Sequence, residues 1–351
     1  MDGIQAPTKN EEPATTPLFR AETSRTARSS ATAHTMEHTR VAAFDGTFAP
    51  EARPPFQPGT RAWYRKRDYF LSGWSNPAIW RSTLVEFVGT AAIVLVGGQI
   101  GATIASYGTP QVGAYIALSN IVLLTIFIYA TAPASGGHLN PMITFSTMLT
   151  GLCPWPRGVL YMCAQTAGAA VGGGVLTGIW GRQLSIELKG GGCFFDLAYA
   201  TYGQLFLNEI ASSFVLLLLA FGVGLDPRQA LLFGPRFGPL LVGATVGVMS
   251  FAGSGMIRGY AGASLNPARC FALGIVRRDL SGGSFYLWLS FQPVSESADR
   301  QIGQWIWWAG DAIAGILLAA MYNLIPPHHG SGKPDPDSPG SCTSDREEIA
   351  A

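Results

Sequence analysis

From Phe87 through Pro156 the chain runs for 70 residues without an Asp, Glu, Lys or Arg. One membrane-spanning helix needs about 20 apolar residues, so this stretch alone holds more than one crossing. Apolar blocks of similar length recur downstream. The pattern predicts six spanning helices, over 81–107, 113–131, 158–183, 204–225, 239–257 and 303–325. Two shorter apolar runs, 142–150 and 269–276, fall between the second and third spans and between the fifth and sixth. Neither can cross alone, so each reads as a half-helix that enters and returns. The expected fold is all-α, with six transmembrane helices and two re-entrant half-helices. Glycines four apart (97/101, 168/172 and 243/247) suit close helix packing in lipid and say nothing about function.

Both short runs open on the same dipeptide, Asn140-Pro141 and Asn266-Pro267. Asn suits an N-cap, and Pro suits the first helical position, where its missing N–H costs nothing. A lone Asn-Pro is only a turn signal. Two copies in matching halves of the chain carry more weight. Glu86 opens the first half and Glu209 the second, 54 and 57 residues before Asn140 and Asn266. With three spans per half, the second half starts on the opposite side of the membrane. The repeat is therefore inverted, an arrangement that places a site at the midplane, where broken helices meet. Two half-helix N-termini brought together there would present free N–H groups and positive partial charge. Such a centre repels cations, hydronium included, while the Asn amides donate to neutral solutes.

Composition and charge agree with a membrane protein. The chain of 351 residues is 48% hydrophobic and only 13% charged, against about 25% charged in soluble domains. A net charge of +1 argues against a nucleic-acid partner. The five cysteines show no metal-ligand spacing, and no Ser/His/Asp constellation survives outside the tails, so neither an enzyme, a metal site nor a cofactor is expected. The first 30 residues lack an apolar core, and insertion is expected to rely on the spans. Residues 1–78 and 327–351, rich in Pro, Ser and Thr or acidic residues, are expected to be disordered tails around a channel domain at 79–326, with repeats at about 81–183 and 204–325. Arg61, Arg65, Lys66, Arg67 and Arg81 before the first span place the N-terminus on the cytoplasmic side, and six crossings return the C-terminus there.

The paired boxes Asn140-Pro141-Met142 and Asn266-Pro267-Ala268, the Ser135-Gly136-Gly137-His138 lead-in and Arg269 resemble the aquaporin (major intrinsic protein) family over residues 80–326. Cys270 directly after Arg269, with Gly190-Gly191-Gly192-Cys193 upstream, resembles its X-intrinsic subfamily, fungal type. The resemblance implies a homotetramer, in the plasma membrane, with one pore per subunit. It also implies that Glu86, Glu209 and His138 hold the Asn-Pro loops by hydrogen bonds. Counting from the two Asn residues, it implies a filter of Asn120, Ser254, Ala263 and Arg269. Water-selective relatives place an aromatic and a His at the first two positions; smaller residues here imply passage of glycerol, urea, hydrogen peroxide or boric acid, with slow water. Met142 replaces the usual Ala, and Asp311 stands where relatives usually carry Pro.

Three alternatives stay open: a water-selective channel, a coupled transporter using Glu86, Glu209 or Asp311 as proton carriers, and a closed scaffold. Cys193 and Cys270 are expected at one mouth of the pore. Either Cys270 packs as a small hydrophobe, or the two respond to oxidation as a pair.

Overall fold

The computed structural model describes residues 66–226, 236–277 and 304–324, all helix and connecting loop. A short helix, α1 (Arg67–Leu71), precedes α2 (Pro77–Ser106). These two correct the expected disordered boundary at residue 78. The cause is local: Asn76 Oδ1 accepts from the Ala78 amide at 2.9 Å with Pro77 at the first position, the same start signal used at the half-helices. The rest of the expected tails lies outside the described residues.

The first repeat continues with α3 (Val112–Ser135), the half-helix α4 (Pro141–Leu149) and α5 (Trp155–Glu187). The second comprises α6 (Tyr202–Ala220), extended by a wider turn over Phe221–Leu225, then α7 (Gly238–Gly253), the half-helix α8 (Pro267–Arg277) and α9 (Gln304–Leu324). Five of these are long and apolar enough to cross a membrane. The span expected at 239–257 stops at Gly253, giving 16 residues and about 24 Å at 1.5 Å per residue. Its last expected turn is lost because Ser254 is extended and Gly255 takes φ +78°.

Packing repeats across the two halves. First and third spans pair, α2 with α5 and α6 with α9, while the second spans α3 and α7 pair with each other. Each half-helix also lies against the third span of the opposite half, α4 on α9 and α8 on α5. The spacing of small residues sets these approaches: a Cβ at Gly168 or Gly172 would collide with the Phe87 or Ala91 carbonyl, and one at Gly243 or Gly247 with α3. Gly101 differs, closing instead on the Gly191 carbonyl of the connection after α5.

The distribution of polarity is the reverse of a soluble protein's. Leu84, Leu118, Ile126, Leu207, Val248 and Phe251 are exposed, whereas Glu86, Thr90, Gln165, Glu209 and Asp311 are buried. An apolar exterior around a polar interior fits a lipid environment, where backbone and side-chain polar groups must be satisfied within the protein.

Candidate channel site

The half-helices meet at their N-termini. Asn140 caps α4, its Oδ1 accepting from the Met142 amide at 2.9 Å. Asn266 caps α8, its Oδ1 accepting from the Arg269 amide at 3.2 Å. Each Asn side chain then reaches across the repeat axis: Asn140 Nδ2 donates to the Leu265 carbonyl at 2.7 Å, and Asn266 Nδ2 to the Leu139 carbonyl at 3.0 Å. One N–H of each amide is committed to that reciprocal bond. The second is left for the cavity that both residues line.

The crossing is possible because Leu139 and Leu265, each directly before its Asn, take left-handed φ values of +50° and +56°. A non-glycine residue there costs about 1–3 kcal/mol and persists only where its surroundings over-determine it. The two carboxylates do so. Glu86 accepts from the His138 and Leu139 amides at 3.0 and 2.7 Å, from Ser135 Oγ at 2.5 Å and from Gln165 Nε2 at 2.8 Å. Glu209 accepts from the Ser264 amide at 2.9 Å, from Ser264 Oγ at 2.6 Å and from the Leu265 amide at 3.3 Å. His138 joins the same network, with Nδ1 3.1 Å from Thr144 Oγ1 and its ring edge-on to Tyr161. Behind it, Arg157 Nε donates to Tyr161 Oη at 3.0 Å, and Tyr161 Oη donates to the Ser135 carbonyl at 2.8 Å.

The remaining box residues serve packing. Met142, 2% exposed, fills a core with Leu216, Leu217 and Leu318, and its role in the cap is through the backbone alone. Ala268 is fully buried among Val94, Ala169 and Ala272. Pro141 and Pro267 are buried at the first helical positions.

A cavity of about 130 Å³ passes the Asn pair, with Ile93, Leu123, Ile143 and Val246 among its apolar lining and His138, Asn140, Asn266 and Arg269 among its polar lining. Of the four filter positions counted from the sequence, Asn120, Ala263 and Arg269 line it, and Ser254 does not. Ser254 sits at the C-terminal cap of α7, against Gly113. One turn earlier, Ser250 lines the cavity and accepts a hydrogen bond from Asn120 Nδ2 at 2.8 Å. Ser250 escaped sequence reasoning because a count back across the 254–265 loop does not follow the path of that loop. Gln165 and Ser264 were missed too, as unremarkable polar residues; their facing of Glu86 and Glu209 is visible only in three dimensions.

Arg269 extends along the cavity wall, with Nη1 3.5 Å from Cys193 Sγ. Cys193 and Cys270 form a disulfide, their Cα atoms 5.3 Å apart, so Cys270 is not a free packing residue. The bridge fixes the connection after α5 to the second residue beyond Ala268. Away from this mouth, α1 caps the other end of α4: Tyr69 Oη stands 2.7 Å from the Met148 carbonyl and 2.6 Å from the Cys153 carbonyl, which share its one hydrogen. Burial pushes the Tyr69 hydroxyl up, keeping it a donor. No group of three or more His, Cys, Asp or Glu able to hold a metal occurs among the described residues.

Two broken helices with positive ends converging on a cavity, held by buried carboxylates in an inverted repeat, form a conduction pathway. The family model "Major intrinsic protein" matches residues 73–322. The chain belongs to the major intrinsic protein family. As a member it is a multi-pass membrane channel for water or small solutes, not an enzyme. Probable aquaporin TIP3-2 of Arabidopsis thaliana is 28% identical over 277 residues, covering 74% of this chain and 91% of that protein. Aquaporin PIP1-1 of the same plant is 26% identical over 79% of this chain and 85% of its own. In fold, the chain is similar to the aquaglyceroporin from Plasmodium falciparum, with a TM-score of 0.54 at 19% identity, over 70% of this chain and 96% of that one.

Proposed function

We propose that this major intrinsic protein passively conducts small uncharged solutes of the glycerol, urea, hydrogen peroxide and boric acid class, with slow water and without protons or ions. The observation that carries this reading is the Asn120–Ser250 pair lining the cavity that also holds Ala263 and Arg269. At these four positions no ring or imidazole narrows the passage, and the Asn120 amide and Ser250 hydroxyl offer hydrogen bonds to a polyol or amide. Apolar walls with a few polar groups then strip water from a solute and return part of its hydrogen bonding. The neighbouring fold of an aquaglyceroporin is compatible with this reading.

Cys270 after Arg269, and the bridge to Cys193, favour the X-intrinsic subfamily. The basic cluster before α2 supports a cytoplasmic N-terminus. The exposed apolar helix faces support lipid contact; the homotetramer and the plasma membrane rest on the family resemblance.

The test is stopped-flow swelling of proteoliposomes, comparing water with the four solutes. Asn120→Phe with Ser250→His is expected to lower the glycerol-to-water ratio by about tenfold, a barrier change near 1.4 kcal/mol. Asn120→Phe with Ser254→His should leave a higher ratio than that pair. An unchanged ratio in the Ser250 double variant would sink the filter assignment.

A further inference from the structure

The two Asn-Pro loops are held by different chemistry. Around Glu86 every hydrogen-bond partner is a donor: one hydroxyl, two backbone amides and the Gln165 side-chain amide. An ionised carboxylate is fully satisfied there. In the second repeat the side chain that reaches in from the last span is Asp311, and an ionised Asp can only accept.

Asp311 and Glu209 are 1% and 0% exposed. They share one hydroxyl: Ser264 Oγ stands 2.6 Å from Glu209 Oε1 and 3.2 Å from Asp311 Oδ2. That hydroxyl has a single hydrogen and can donate to only one of them. The remaining donors are divided: Ser213 Oγ to Asp311 Oδ1 at 2.5 Å, and the Ser264 and Leu265 amides to Glu209. Neither carboxyl forms an ion pair among the described residues. The other ionisable groups around them are Arg269 on α8, within electrostatic range of Glu209, and Tyr260, whose hydroxyl accepts from Asn208 at 2.9 Å. Two carboxylates sharing a buried site cannot both stay ionised.

We propose that Asp311 is a positioning residue held as the neutral acid, its proton on Oδ2 donated to Ser264 Oγ, whose own hydrogen goes to Glu209. The pair then carries one proton and one negative charge. Asp311 supplies to the second loop the donor that the Gln165 amide supplies to the first. Through Ser264 it fixes Leu265 in its left-handed conformation, and with it the carbonyl that receives Asn140. Asp311 does not line the cavity, so it acts on conduction only through the loop.

Infrared spectroscopy of the reconstituted full chain at neutral pH tests this directly, because exposed carboxyls are ionised there and a protonated acid has its own carbonyl stretch. The parent is expected to show that band, and Asp311→Asn to lose it while keeping solute flux and proton exclusion, since the amide retains a donor. Asp311→Leu, with no donor, is expected to lose flux by about tenfold. Should Asp311→Asn fail to fold, Ser213→Ala removes only the hydroxyl donated to Oδ1 and is expected to shift the band. A parent without the band, a band that survives Asp311→Asn, or one that Ser213→Ala leaves unmoved overturns the proposal. The spectrum reads the proton itself, so these outcomes stand apart from the question of which solute permeates.

Discussion

Arg269 keeps most of its donor capacity for the cavity. Its one side-chain hydrogen bond among the described residues is to Cys193 Sγ, a weak acceptor at 3.5 Å. A guanidinium carries five N–H donors and stays charged, so the unspent ones can meet a solute oxygen while the charge opposes a cation. Removing it leaves the positive half-helix ends as the remaining barrier, each worth roughly half a charge. Arg269→Ala is therefore expected to raise proton leak while neutral permeation persists. Proteoliposomes carrying an internal pH dye would show this; a leak equal to the parent's would count against exclusion by Arg269.

At the scale of the element, the half-helices owe their placement to carboxylates buried in α2 and α6. Glu86→Gln keeps the shape but turns an acceptor into an amide that faces N–H donors from His138 and Leu139. Leaving such donors unsatisfied costs about 1–3 kcal/mol, so the variant is expected to unfold more readily on heating. A melting curve matching the parent's would show that Glu86 does not hold the loop. The half-helices were legible in the sequence because capping is local: Asn followed by Pro fixes a helix start whatever surrounds it. The same signal at Asn76-Pro77 marks the start of α2, although composition alone reads that segment as tail. What stayed hidden depends on partners far away in the chain. Ser250 faces Asn120 across 130 positions, Gln165 meets Glu86 across 79, and the Cys193–Cys270 bridge spans 77. The filter register was lost because α7 ends at Gly253, so Ser254 belongs to the turn and not to the helix face.

Across the whole molecule, the inverted repeat explains why one cavity carries matched chemistry from both halves. Each Asn amide bonds the carbonyl before the other Asn, so neither half completes the centre alone. A coupled transporter would need a carboxyl that gains and loses a proton in the pathway. Glu86 is saturated by four donors, Glu209 is tied to the Ser264 loop, and neither carboxylate is among the residues lining the cavity. The fixed arrangement suits passive flow through a preformed path. The most direct measurement is solute entry into proteoliposomes under a solute gradient, with and without an imposed pH gradient, while internal pH is followed. The account predicts entry of small neutral solutes at the same rate in both conditions, with no accompanying proton movement. Entry that appears only when a pH gradient is applied would contradict it.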